Sequence, residues 1–470
     1  MKKSLYLLLV VALVAGLSSV AFAQAGVTWT SGILIQNLGT ADASVTVYYY
    51  WADDLGGGLA IDPPPTYVIP VGARTTIYPL DVADGFRGSV VLESTEPIVA
   101  IVNQLGDGVT YGGSYEGFDM GSDTVRLPNV QSANSGFYSF FQVQNAGSAA
   151  TDITVTFIPE PGLGYGTPAV ETCTALPPGE ACIFSQQPGQ GQWTIGKWVG
   201  GATVTTSGQP VVASVDIVHE PGTYGMSSYS GFTGAGSTTA VLPNIMNANG
   251  TYWSGINVTN GGGAASDVTL TFYPATGYAA IAPVTFTALG AGATGVLLMP
   301  NHPDLAGNVK WVGAVVVDGG GNNVFVIVNT LTTVYGEVSA WKGVDPATAT
   351  QKVVMPAILS DGGGYPFFTG FQVYNTGAAA VDITISYAPC ATCSPVWTPV
   401  NETGTVPANS SLVFLQSGNG QWTGVKYVGS ATVTVTSGTG NIMAIVNELA
   451  PGFMGSGEVT YSYNAFNVAP

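Results

Sequence analysis

Charge is what this chain of 470 residues has least of: 10 Lys and Arg against 28 Asp and Glu, with only 8% of residues charged, where ordinary soluble domains carry about 25%. A nucleic-acid partner is excluded, because phosphate recognition needs clustered Lys and Arg. Histidine is nearly absent, with only His219 and His302, at non-equivalent positions. No Ser, His and Asp set recurs, and neither a Gly-x-Ser-x-Gly elbow nor a His-Glu-x-x-His helix occurs. An enzyme is therefore not expected. Cysteine is limited to Cys173, Cys182, Cys390 and Cys393, and the close pair Cys390 and Cys393 lacks the two further soft ligands nearby that a zinc site needs. No long apolar run follows the first twenty or so residues, and no segment has helical spacing.

That first run has the form of an export leader. Met1-Lys-Lys is followed by an apolar stretch from Leu5 to Leu17 and by Val20-Ala-Phe-Ala23 before Gln24, which reads as a secretory signal over 1–23 cleaved after Ala23. The run is shorter than the ~20 residues of a spanning helix, so no membrane span is expected after signal removal. Loss of Lys2 and Lys3 leaves 8 basic against 28 acidic residues. Gly, Ser, Thr, Asn and Tyr then supply most of the polar surface, and a surface short of repelling charge suits close side-by-side packing.

What the chain has in abundance is one repeated pattern. Ser31-Gly-Ile-Leu-Ile-Gln-Asn-Leu-Gly39 is an alternating run that ends in an Asn-x-Gly turn, and Val45-Thr-Val-Tyr48 follows it. The pattern returns as Phe140–Gly147 with Ile153-Thr-Val155, as Gly255–Asn260 with Val268-Thr-Leu270, and as Gly370–Gly377 with Ile383-Thr-Ile385. The anchor residues Asn37, Asn145, Asn260 and Asn375 lie 108, 115 and 115 residues apart. A fixed period of this size marks a tandem array. The expected divisions after the leader are four β-sandwich repeats, 24–123, 124–238, 239–351 and 352–470.

In the first repeat the strand candidates are 32–37, 44–51, 66–70, 75–80, 88–94, 98–104 and 110–118, each rich in Val, Ile, Thr and Tyr and bounded by Gly, Pro or Asp. Seven short strands without helices predict an antiparallel sandwich. Pro70-Val-Gly72, Pro177-Pro-Gly179, Gly290-Ala-Gly292 and Pro407-Ala-Asn409 read as equivalent hairpin turns. Val99–Asn103, Val212–Asp216, Phe325–Asn329 and Met443–Asn447 read as a central strand whose last residue bonds the following turn. Between repeats lies a proline strap, Leu127-Pro-Asn-Val130, Leu242-Pro-Asn-Ile245 and Met355-Pro-Ala-Ile358, an edge strand or a stiff joint. Such joints make the array a semi-rigid rod. Repeats two and four share Gly-Gln-Trp193 and Gly-Gln-Trp422 and hold all the cysteines, an alternation that suggests duplication of a two-repeat ancestor.

Cys173 and Cys182 flank the Pro177 turn and, in an exported protein, form a local disulfide. Cys390-Ala-Thr-Cys393 is expected to be a second, small loop disulfide. Asp54-Leu-Gly-Gly-Gly58, Asp318–Gly321 and Asp361–Gly364 lack the alternating acids of a calcium loop and read as tight hairpin turns. Lys197, Lys310 and Lys426 invite comparison with isopeptide-forming lysines near Asp216, Asn329 and Asn447; the first repeat has none, so they read as solvent-facing. Tyr48-Tyr-Tyr-Trp51 offers aromatics, half of them core-facing, that can stack on sugars.

Asn-x-Gly followed by Val-Thr-Val resembles the adhesion-related CARDB-like or immunoglobulin-like β-sandwich repeats of exported bacterial surface proteins. The resemblance implies cell-surface or matrix roles and brings no catalytic residues. The expectation is an all-β chain of four tandem antiparallel immunoglobulin-like sandwiches, secreted to the extracellular space or cell surface, without cofactor or metal. It would serve as a non-catalytic subunit of a filament, sheath or surface layer, or alternatively as an adhesin or carbohydrate-binding array. Partners would be further copies of itself, other cell-surface components or glycans. Trp29, near the mature start, and Tyr463 and Phe466, near the end, are the assembly candidates, on the idea that an uncompleted edge of repeat one accepts another chain's C-terminal strand.

Overall fold

Alternation in the sequence becomes alternation in space: Thr151, Ile153, Val155 and Phe157 are buried and the residues between them are not, which is how β-branched runs fill one face of a sheet. The computed structural model describes residues 10–14, 29–106, 111–219, 225–332, 336–362, 367–390, 397, 399–453 and 457–468. It is all-β and antiparallel throughout.

The first repeat contains β1 (Val10–Val14), β2 (Trp29–Asn37), β3 (Ala43–Trp51), β4 (Thr66–Ile69), β5 (Arg74–Ile77), β6 (Gly88–Ser94), β7 (Ile98–Gly106) and β8 (Tyr111–Glu116). They form two four-stranded sheets, ordered β1-β6-β3-β4 and β5-β2-β7-β8. The second repeat has β9 (Thr124–Ser132), β10 (Phe137–Asn145), β11 (Thr151–Pro159), β12 (Glu171–Leu176), β13 (Ala181–Ser185), β14 (Trp198–Thr206), β15 (Val211–His219) and β16 (Met226–Ser230). Its sheets, β9-β14-β11-β12 and β13-β10-β15-β16, repeat the same connectivity. These strands belong to a compact unit comprising 1–159 and 165–234.

A second unit comprises 160–164 and 235–470. Its strands are β17 (Thr239–Asn247), β18 (Tyr252–Asn260), β19 (Ser266–Pro274), β20 (Val284–Leu289), β21 (Thr294–Leu298), β22 (Trp311–Asp318), β23 (Val324–Thr332) and β24 (Gly336–Lys342), followed by β25 (Lys352–Gly362), β26 (Phe367–Asn375), β27 (Val381–Pro389), β28 (Glu402–Val406), β29 (Ser410–Leu415), β30 (Tyr427–Ser437), β31 (Ile442–Phe453), β32 (Gly457–Asn464) and the short β33 (Phe466–Asn467). The third repeat follows the same sheet orders; in the fourth, β25 also pairs with β26, so its two sheets join into one.

Three expectations need correction. Repeats one to three have eight described strands each and repeat four has nine, where seven were expected in repeat one; the proline straps β9 and β17 are the edge strands expected, and β9, β17 and β25 pair along β14, β22 and β30. The register slips between Leu127 and Val130, between Leu242 and Ile245 and between Met355 and Ile358, a bulge at the proline, which has no N–H to give the ladder. Second, the Pro-x-Gly turns are not hairpins. They carry the chain from one sheet to the other, as between β4 and β5 or β12 and β13. The Asp318 turn likewise crosses sheets, from β22 to β23. Third, repeats are not held by straps alone. Within each unit one sandwich lies against its neighbour, β8 on β16 in the first and β24 on β32 in the second.

A shared acceptor signature opens the sixth strand of every repeat: Phe86-Arg-Gly88, Trp198-Val-Gly200, Trp311-Val-Gly313 and Tyr427-Val-Gly429. Trp198 donates its indole N–H to Gly166 O at 3.1 Å and Trp311 to Ala279 O at 2.9 Å. The ring folds back over the glycine, where a Cβ would meet both the ring and the carbonyl of Ile158. Gly200→Ala should therefore destabilise the second repeat by about 1–3 kcal/mol through overpacking, read as earlier exchange of β14 amides, with β6 unchanged.

Candidate functional site

The recurring asparagine makes at least three side-chain hydrogen bonds in every repeat. Asn145 is fully buried; its amide donates to Ala149 O and Leu176 O, both at 2.8 Å, and its carbonyl oxygen accepts from Gly147 N–H at 2.9 Å. Asn37 repeats this with Ala41, Ile69 and Gly39, Asn260 with Ala264, Leu289 and Gly262, and Asn375 with Ala379, Val406 and Gly377. The side chain ends the second strand in one sheet and reaches the end of the fourth strand in the other, so it ties the two sheets together. The sequence marks the residue through its Asn-x-Gly turn; the second partner, about thirty residues on, is visible only in three dimensions.

The other recurring position is Asp216 and its equivalents, and parts of the turns that follow them lie outside the described residues. Asp216 is buried and accepts from the Ser228 hydroxyl at 2.6 Å, Asn329 accepts from the Asn257 amide at 2.6 Å, and Asn447 accepts from the Ser462 hydroxyl at 2.7 Å. These residues border the seams between paired repeats. Small residues let the strands close in: a Cβ at Gly113 would run into Ser228. The Ser462 hydroxyl also meets the Ser339 hydroxyl at 2.9 Å, and Asn464 donates to Lys342 O at 2.9 Å. Burial pushes the Asp216 carboxyl up to about 6, partly offset by the bonds from Ser228 and Gln104; burial also lifts Glu171 to about 7.

The remaining candidates have structural places. Cys173 and Cys182 form a disulfide, and because β12 and β13 lie in opposite sheets it staples the sandwich rather than a hairpin. Cys173→Ser should lower stability by about 2–3 kcal/mol, the loop-closure value for a ring of this size, and the same shift should follow reductant in a thermal melt of the parent chain. Asp53 approaches the same two sulfurs, yet a disulfide leaves no thiolate for a metal. Cys390 is buried and disulfide-bonded; Cys393 lies outside the described residues. His302 is buried, packs edge-on to Phe272, meets Ala282 O at 2.9 Å and accepts from Asp304 N–H at 3.2 Å. Lys197, Lys310 and Lys426 are exposed while Asp216 and Asn329 are buried, which forbids isopeptide pairing there.

The glycine loop after Asp54 is a contact between repeats one and two: Gly58 N–H donates to Glu180 Oε1 at 2.7 Å, and Arg87 pairs with Asp54. Tyr49 is fully buried, and Tyr50 lies against Gly179. The assembly candidates are likewise engaged. Trp29 is buried beside Tyr111, with ring centroids 5.8 Å apart. Tyr463 is buried, donating to Ala357 O at 2.8 Å and accepting from Ala357 N–H at 3.1 Å. Phe466 sits in β33, opposite Val354 of β25.

No family model and no curated protein matches this chain. Among solved structures 13 chains match. One, described as Thermotoga maritima 1070, is 15% identical over 25% of this chain and 98% of that one, with a TM-score of 0.20. Among the described residues, no helix is long and apolar enough to cross a membrane.

Proposed function

We propose that the chain is an exported, non-catalytic structural protein, a subunit of an extracellular filament, sheath or surface layer. The observation that carries this reading is the use to which buried polar groups are put. The same asparagine ties the second strand to the end of the fourth in all four repeats, and the polar groups at the seams bond one repeat to its neighbour within each unit. Polar groups committed in this way stiffen each unit. The sparse charge leaves its surface free to pack closely against neighbours.

Negative-stain microscopy of the exported protein should show regular polymers or sheets. Isolated particles across a range of concentration and ionic strength would overturn the proposal. An adhesin or glycan-binding array predicts such isolated particles together with binding on a glycan array. Tyr50, packed on Gly179, leaves that second reading fewer free aromatics than the run Tyr48–Trp51 suggests.

A further inference from the structure

The edge of β6 is filled differently from its three counterparts. In repeats two to four the strand beside the sixth is a proline strap, and its Val130, Ile245 and Ile358 sit opposite Gly200, Gly313 and Gly429. In repeat one the partner of β6 is the apolar run of the leader, Val10–Val14, with Val14 opposite Gly88. It pairs in straight register, without the bulge that marks every strap. The acceptor is otherwise the same, with its aromatic-x-Gly opening at Phe86–Gly88 and Val90 and Leu92 in the core.

We infer that repeat one is an acceptor for a strand supplied in trans. The inference rests on the export reading, in which residues 1–23 are removed. Their loss strips β6 of a row of backbone partners, and an unpaired edge over an apolar core is a site for strand addition. The occupant is a different polypeptide carrying an extended segment of strap chemistry: apolar residues at alternate positions, then Pro, a small or polar residue, and Val or Ile. Thr124–Val130 and Thr239–Ile245 show the pattern. A second copy does not supply it. Among the described residues there are four sixth strands and three straps, so donating one of these straps empties one of the donor's own edges. Phe466 and Asn467 are already spent on β25.

The test uses the chain beginning at Gln24 and a peptide with the sequence of Thr239–Asn247, with a scrambled peptide as control. By hydrogen exchange, β6 of the leaderless chain should exchange at least tenfold faster than β14, and the peptide, not its scramble, should slow it to the rate in the full-length chain. Equal protection of β6 and β14 without peptide overturns the inference. So does failure of the peptide to protect β6, or protection that grows with protein concentration through self-association. Should the leaderless chain not fold, the strap sequence fused directly before Gln24 leaves five residues ahead of β2 at Trp29, close to the spacing between β9 and β10. That fusion should restore folding, and its failure counts against the inference. Intact mass of the exported protein reads leader removal separately, so an error in the export reading is distinguishable from an error in the acceptor.

Discussion

Asn145→Ala is expected to cost the second repeat about 2–3 kcal/mol, since it strands the buried Leu176 carbonyl at roughly 1–3 kcal/mol and hands the more exposed Ala149 carbonyl and Gly147 N–H to water at a smaller loss, and such terms do not add fully. That is a large part of the ~5–15 kcal/mol that holds a domain together. Asn145→Asp should be worse at neutral pH despite its matching shape. Its carboxylate would face Ala149 O and Leu176 O, which now accept from the amide, so attraction becomes repulsion. Protonation returns one donor, and part of the loss should be recovered as the pH falls. Asn375→Ala should cost less than Asn145→Ala, because the Asn375 amide reaches Val406 O and Pro407 O at a longer 3.2 Å each. Site-resolved hydrogen exchange at the ends of β12 and β28 checks the order, since a chain of several domains has no single unfolding free energy. Equal protection in Asn145→Ala and the parent would refute the idea that this side chain ties the sheets.

The period, the strand content and the anchor asparagines were legible in the sequence, because turns and alternation are local properties. Sheet membership was not. A Pro-x-Gly turn between two short strands has the same composition whether it closes a hairpin or crosses a sandwich, and only the pairing of β4 with β3 and of β5 with β2 decides. The straps were legible as edges, since Pro128 cannot donate to a ladder, but their partner, β14 for the first of them, emerges only from the pairing. The seams were invisible, since Gly113 and Ser228 are unremarkable residues more than a hundred positions apart whose meaning lies in how closely two strands approach. For the assembly candidates, Trp29 and Tyr463 were placed by nearness to the ends of the chain, and such nearness says nothing of burial.

Acid should strengthen the first unit, against the usual trend in which paired carboxylates make proteins fail at low pH. Asp216, buried at the seam beside Tyr115, titrates at about 6 in the folded chain, against roughly 3.9 when unfolded. The folded state therefore holds the proton more tightly. The stability linked to that proton is complete below pH ~4 and is lost as the pH rises through about 6, a change of roughly 3 kcal/mol between pH 4 and 7. Glu171, at about 7, acts in the same direction over a window that ends slightly higher. The excess of acidic residues pushes the same way through general repulsion, so the pH slope alone does not identify the group. Asp216→Asn does. Its amide oxygen can still accept from Ser228, it carries no charge to desolvate, and it should flatten the slope while making the unit more stable than the parent at pH 8. Denaturant titrations from pH 4 to 8, followed by exchange in β15 and β16, would show this. An unchanged slope in Asp216→Asn would mean that the seam carboxyl is ionised throughout, and the pH response would then belong to the surface charge.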